Sequence, residues 1–371
     1  MPAERGPLRF YAGSGAYEEI RKRGFSEERI GTIAGASGGP KWLVLSQLDR
    51  VIIDRILPKL PGPVHLVGSS IGAWRFACYA QARPRAALER FESAYLEQAY
   101  SARPGLAEVT AKSREILKEM LGEGGAEEIV SHPTLRTHVL AVRSGLLTRS
   151  DRGLLLWSGL ACAALANTFS RRCLGAFFSR SLFYDPRDLP PFYNATGFPL
   201  DRVPLTSRNL ADAVVASGAI PTVLSGVRDI DGAPAGIYRD GGIIDYHLDL
   251  PLGEPDRLTL YPHFFDRLVP GWFDKRLAWR RPDPRHTARV LLVCPSAEFV
   301  ARLPGGKIPD RGDFLRLSQA DRVKRWRAVV DACRELADDF ATVLDTGRLA
   351  DRLEPLPERF RRARLRPPGG S

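Results

Sequence analysis

Cysteine is scarce in this chain of 371 residues: Cys78, Cys162, Cys173, Cys294 and Cys333 make an odd number without a Cys-x-x-Cys pair. That count gives no disulfide framework and no thiolate metal centre, and the apolar neighbours of each predict buried free thiols. Histidine is equally sparse, six residues with none at the i, i+4 spacing of a metal-binding helix, so neither a metal nor a cofactor is implied. An apolar leader is lacking too. The first ten residues carry Glu4 and Arg5 where a signal peptide would be apolar, which predicts a cytoplasmic protein. No repeat of 20–50 residues and no nucleic-acid-binding module is visible. Lysine is rare, eight residues among 54 Lys and Arg, so arginine dominates the basic charge.

What remains is a chain 44% hydrophobic and 26% charged, a composition that excludes disorder, collagen and coiled coil. The formal net charge is +11. Such a surface favours anionic partners, phospholipid headgroups before nucleic acid given the missing module. The excess is uneven: from Phe265 to the end there are 23 Arg and Lys against 15 Asp and Glu.

Short apolar runs bounded by glycine alternate with stretches of helical periodicity, the pattern of an α/β sheet protein. Strands are expected at Leu8–Ala12, Ile30–Ala34, Val64–Val67, Thr137–Val142, Leu258–Tyr261 and Val290–Val293. Helices are expected at Trp42–Leu57, Ile71–Gln81, Arg85–Leu96, Glu108–Leu121 and Gln319–Phe340. The proline-bearing Phe183–Pro204 reads as an extended surface connection. Residues 1–352 are read as a single domain and 353–371 as a disordered tail rich in proline and arginine. Gly153–Ser170 holds 18 residues without a charge, near the length of a membrane span. Its Ser158, Gly159, Asn167 and Thr168 point instead to a helix beside the functional site or forming its apolar mouth. Pro270–Arg281 mixes aromatic and cationic residues as interface-binding segments do.

Three motifs carry chemistry. Gly68-Ser-Ser70-Ile-Gly72 is a Gly-x-Ser-x-Gly between an expected strand and helix, where a sharp turn projects the Ser70 hydroxyl at a helix N-terminus. Gly35-Ala-Ser37-Gly38-Gly39 fits the same pattern but runs on into Pro40-Lys41. Two glycines and a cation at such a junction suit an oxyanion loop, with Gly38 and Gly39 as donors. Asp240-Gly241-Gly242 sets a carboxylate in a glycine turn that can approach a facing elbow and accept a hydroxyl proton.

In this order the motifs resemble the patatin-like phospholipases, and Leu210-Ala-Asp-Ala-Val-Val-Ala-Ser-Gly-Ala-Ile-Pro221 resembles that family's segment before its Asp-Gly-Gly turn. The resemblance is strongest over residues 29–252. It implies a three-layer α/β/α sandwich around a central mixed sheet. It also implies a Ser–Asp dyad that hydrolyses lipid acyl esters through an acyl-serine, with phospholipid or another acyl-ester lipid as substrate at an anionic inner membrane surface. By position Ser70 is the nucleophile, Asp240 the base, and Gly38 and Gly39 the oxyanion hole. The chain departs from the family in having Ser37 before only two glycines, Trp42 after Lys41, and Tyr246 and His247 where an Asn and a Pro are usual. Three other readings stay open. Gly13 could supply the oxyanion loop with Ser37 as nucleophile; Ser70 could work with His247 or His263 in a triad; or the fold could bind lipid without turnover.

Overall fold

A computed structural model describes residues 6–357. Eleven strands join one sheet: β1 (Leu8–Ala12), β2 (Ile30–Gly35), β3 (Val64–Ser69), β4 (Leu135–Ser144), β5 (Phe178–Tyr184), β6 (Leu200–Pro204), β7 (Val227–Arg228), β8 (Ile237–Asp240), β9 (Leu258–Pro262), β10 (Val290–Pro295) and β11 (Leu353–Pro355). Their order is β11-β1-β10-β9-β2-β3-β4-β5-β6, with β8 on β4 and β7 on β8. Every residue of β2, β3, β9 and β10 is buried, which requires cover on both faces of the sheet. Helices supply that cover, making the mixed sheet the middle layer of an α/β/α sandwich.

All six expected strands form, each extended by up to two residues at an end. The expected helix at Trp42–Leu57 is irregular: a tight first stretch Gly39–Leu45, a regular Ser46–Val51 and a wider turn Ile52–Ile56. The expected Gln319–Phe340 is two helices, Gln319–Ala332 and Arg334–Thr346, broken at Cys333. Residues read as a surface connection begin and end in strands, since β5 and β6 pair in parallel. The expected tail is structured at its start. Leu353–Pro355 pairs in parallel with Phe10–Ala12 because the apolar Leu353 is buried there; the remainder from residue 358 lies outside the described residues. All five cysteines are free, but Cys162 and Cys173 are exposed, against expectation.

Two placements matter for function. Helix Ile71–Tyr79 is pinned to helix Ser46–Val51 by a buried ion pair, Arg75 Nε to Asp49 Oδ2 at 2.7 Å, with the Tyr79 hydroxyl donating to Asp49 Oδ1 at 2.7 Å. Such a pair gains little over an apolar pair but is costly to break, so it fixes one arrangement of the two helices. The second is the edge of β4. β3 runs parallel along its first half, with Leu140 opposite Ser69, and β8 runs antiparallel along its second half, with Ala141 opposite Asp240. The two strands therefore meet end to end.

Candidate active site

Ser70 follows β3 directly and has φ 55° and ψ −127°, a conformation a side-chain-bearing residue rarely holds. The strain persists because the backbone around it is packed without slack. A Cβ on Gly72 would lie 2.0 Å from the carbonyl oxygen of Gly35, and one on Gly68 2.3 Å from the amide of Ala73. Helix Ile71–Tyr79 starts at the next residue, so the hydroxyl stands at its N-terminal end.

The end-to-end meeting of β3 and β8 brings this hydroxyl to a carboxylate 170 residues away: Ser70 Oγ donates to Asp240 Oδ2 at 2.8 Å. The other carboxylate oxygen accepts the Gly242 amide at 2.7 Å. Both side chains are nearly out of water, at 4% and 6% exposure. Burial pushes the Asp240 carboxyl up, and the Arg311 charge, the Ser70 hydroxyl, the Gly242 amide and Lys275 pull it partly back.

Ser217 holds the pair in register. Its hydroxyl accepts the Ser70 amide at 2.8 Å and donates to the Leu140 carbonyl at 2.6 Å, while the Asp240 amide donates to the Ala219 carbonyl at 3.0 Å. The turn after Asp240 is fastened by Asp245, which takes both Nε and Nη2 of buried Arg180 at 2.7 and 2.8 Å.

Gly38 and Gly39 follow β2, which pairs in parallel with β3 so that Gly35 stands opposite Gly68. They open the helical stretch Gly39–Leu45, where the first amides lack intrahelical acceptors. Gly39, with φ 55°, lines the same cavity as Ser70; Gly38 lies behind it, packed against the Phe264 ring. That cavity has a volume of about 350 Å³ and is walled largely by Ile71, Trp74, Tyr95, Ile116, Ile220, Val223 and Phe314. A smaller cleft over Asp240 is lined by Tyr246, Trp272 and Arg311.

Of the remaining candidates, Ser37 lines the cleft over Asp240. It is buried and donates to the Ser69 hydroxyl at 2.9 Å. Gly13 cannot serve it: β1 is antiparallel to β10, which runs parallel with β9 and β2, so Gly13 leaves the opposite end of the sheet from Ser37. The imidazole of His247 accepts the Val269 amide at 2.9 Å and that of His263 the Phe265 amide at 3.0 Å; among the described residues neither ring bonds to Ser70. Burial lowers both, His263 to about 3. Helix Gly153–Phe169 forms, but the walls of the Ser70 cavity come from other elements, so it is not the mouth. It is tied to the cleft's far side through Asn167 Nδ2, which donates to Asp274 Oδ1 at 2.8 Å. Trp272 of the expected interface segment turns inward onto that cleft. No helix among the described residues is long and apolar enough to cross a membrane, and no group of three or more His, Cys, Asp or Glu there could hold a metal ion.

Sequence reasoning assigned no role to Ser217 or Arg311. Ser217 lies inside the Ala-Ser-Gly-Ala-Ile-Pro stretch already singled out; Asp310-Arg-Gly-Asp313 carries no signal that distinguishes Arg311 from the many other arginines.

No curated protein matches the chain. Among solved structures it is similar to the crystal structure of VipD from Legionella pneumophila, at 13% identity and a TM-score of 0.34, over 91% of this chain and 71% of that one. A family model, patatin-like phospholipase, matches residues 52–247 and so takes in the elbow at Ser70, the Ser217 segment and the Asp240 turn. On a match across more than half its length, the chain belongs to the patatin-like phospholipase family.

Proposed function

We propose that the protein cleaves carboxylic esters of lipids through an acyl-serine, with Ser70 as nucleophile and Asp240 as base. The observation that carries this reading is the 2.8 Å hydrogen bond between the Ser70 hydroxyl and a carboxylate, at a strained elbow beside an apolar cavity. Asp240 takes the hydroxyl proton as Oγ attacks the ester carbonyl. The oxyanion is held by amides at Gly38 and Gly39. Collapse expels the alcohol, which receives the proton from Asp240. Water, deprotonated by the same carboxylate, then releases the fatty acid. Burial suits Asp240 to this work, because a carboxyl pushed above its ordinary range is a stronger base.

Approach to substrate is assigned to helix Gly153–Phe169. Leu156, Gly159, Leu160, Ala163 and Asn167 pack inward, whereas Leu154 and Phe169 are 89% and 82% exposed and Trp157 and Leu165 join them. Exposed Arg149, Arg152 and Arg172 flank that apolar face, a combination suited to an anionic membrane surface, here the cytoplasmic one.

The decisive experiment is hydrolysis of a lipid panel by the wild type, Ser70→Ala and Asp240→Asn, with fluorophosphonate labelling in parallel. Ser70→Ala is expected to abolish turnover and labelling, and Asp240→Asn to lower kcat by about 10²–10⁴-fold. Full activity in Ser70→Ala sinks the proposal.

A further inference from the structure

Hydrolysis through an acyl-serine needs a second reactant, a water beside Asp240 when the alcohol has left. The apolar cavity at Ser70 is the wrong place to keep it, since an acyl chain lying there displaces water from those walls. The cleft over Asp240 is the other space at the dyad, and Ile220 and Arg311 line both, so the two adjoin. Its volume is about 10 Å³, at the bottom of the roughly 10–15 Å³ that one water molecule requires. Nothing larger than a water fits.

A water held in a protein makes about three hydrogen bonds, and in an otherwise largely apolar wall this cleft presents the polar side chains of Asp240, Ser37, Tyr246 and Arg311. Two of them accept. A Cβ on Gly242 would lie 2.5 Å from Ser37 Oγ and 2.9 Å from Asp240 Oδ1, so the bare glycine leaves both oxygens open to one shared space. Ser37 gives its own proton to Ser69 at 2.9 Å and keeps its lone pairs. The other two donate. Among the described residues neither the Tyr246 hydroxyl nor the Arg311 guanidinium has a hydrogen bond. Burial pushes the Tyr246 phenol up to about 12, so it keeps its proton, and Arg311 and Asp240 both act on it electrostatically. Arg311 is left free because Lys307 takes the carboxylates near it in the chain, Asp310 at 2.7 Å and Asp313 at 2.6 Å. Two departures from the family pattern, Ser37 and Tyr246, thus meet in one cleft, and the Ser37 amide donates to the Tyr246 carbonyl at 2.9 Å.

We propose that this cleft seats the water that deacylates Ser70, with Tyr246 and Arg311 donating to its oxygen and Asp240 and Ser37 accepting its hydrogens. The inference rests on the hydrolase reading above and adds to it the place of the second reactant. Once the alcohol has left, the water moves along Asp240 to the acyl carbon and gives up one of its donors. Its oxygen bonds to that carbon and Asp240 takes a proton from it; the bond to Ser70 Oγ then breaks, and Oγ takes the proton from Asp240 as the acid is released. A water already on the carboxylate speeds this step, because base and nucleophile start in contact.

The test separates the two half-reactions with 4-nitrophenyl butyrate. Acylation is read as the initial burst of nitrophenol, and deacylation as the decay of the butyryl-enzyme, followed by intact mass after rapid removal of the ester. Tyr246→Phe and Ser37→Ala are each expected to slow the decay about 3–10-fold while the burst keeps the wild-type rate, so that butyrylated Ser70 accumulates. Labelling by a fluorophosphonate needs the dyad but no water, and is expected at the wild-type rate in both variants. Tyr246→Phe removes one hydroxyl and keeps the ring, so it carries the test if Ser37→Ala misfolds. A loss that falls on the burst as much as on the decay, or no loss in either, overturns the proposal. Failure of the underlying hydrolase reading is seen separately, as turnover of the ester by Ser70→Ala.

Discussion

Ser217 does at one atom what an elbow normally asks of several. Its hydroxyl joins the amide of Ser70 to the carbonyl of Leu140, so the turn and the strand beneath it move as one. Ser217→Ala leaves both groups buried without a partner. It is expected to cost about 1–3 kcal/mol of stability, measured by urea unfolding, and to lower kcat at least tenfold because Ser70 loses its registration against Asp240. Lys275 acts by charge. Its ammonium is protonated below about 7 and neutral above. The groups that face the ammonium are Tyr246, Trp272, Arg311, Lys41 and Asp240; Asp240 and the two ring faces favour its charged form, and the two cations oppose it. Asp240 sets an acid limb: in the proposed mechanism it must be ionised to accept a proton, and burial makes it lose that ability at a pH above the ordinary carboxylate range.

Helix Gly153–Phe169 shows how an element can satisfy the core on one face and leave an apolar face outside. Trp157→Glu with Leu165→Gln is expected to weaken binding to anionic liposomes at least tenfold without lowering the melting temperature, because both side chains contact solvent rather than core. Co-sedimentation beside a thermal melt reads both quantities. Equal binding of wild type and variant removes the helix from membrane approach. The same element explains an expectation that failed: Cys162 looks buried by its apolar neighbours in sequence, yet it stands on the outer face with Ala161 and Leu165 while Leu160 and Ala163 beside it pack inward. Legibility of the other elements follows one rule. Strands β2, β3, β9 and β10 were visible because burial on both faces makes them short, mostly apolar runs, interrupted at most by a buried Thr, Ser or His. β5 and β8 were not, because each carries a buried arginine whose neutralisation is tertiary. Arg180 pairs with Asp245 and Arg239 with Asp151, partners that no local pattern announces.

At the scale of the molecule, four histidines are buried neutral. Burial lowers His65 to about 4 and His263 to about 3, and takes His138 and His247 well below their ordinary value. A histidine lowered in the folded state binds its proton in the unfolded chain first. Its stabilising preference for the fold is complete above about 6.5 and is lost as pH falls towards the folded value. His65 and His263 are each expected to cost on the order of 2 kcal/mol at pH 5 relative to pH 8, so the urea midpoint should drop steeply over that range. A flat midpoint would show that these rings are protonated in the fold. The site was legible as far as its chemistry is local: elbow, glycine loop and acid turn each announce themselves in a few residues. Arg311 was not, because its importance comes from what Lys307 does to its neighbours. The end-to-end meeting of β3 and β8 on β4 has a consequence for how this site can change. Strand register moves in whole residues, so the separation of Ser70 and Asp240 cannot drift by small amounts. A slip of β8 by one residue turns the carboxylate to the other face, and a slip of two carries it about 7 Å away. Alignment of the two strands is counted in integers, and only the fine adjustment within one count is left to the side chains that hold the turn.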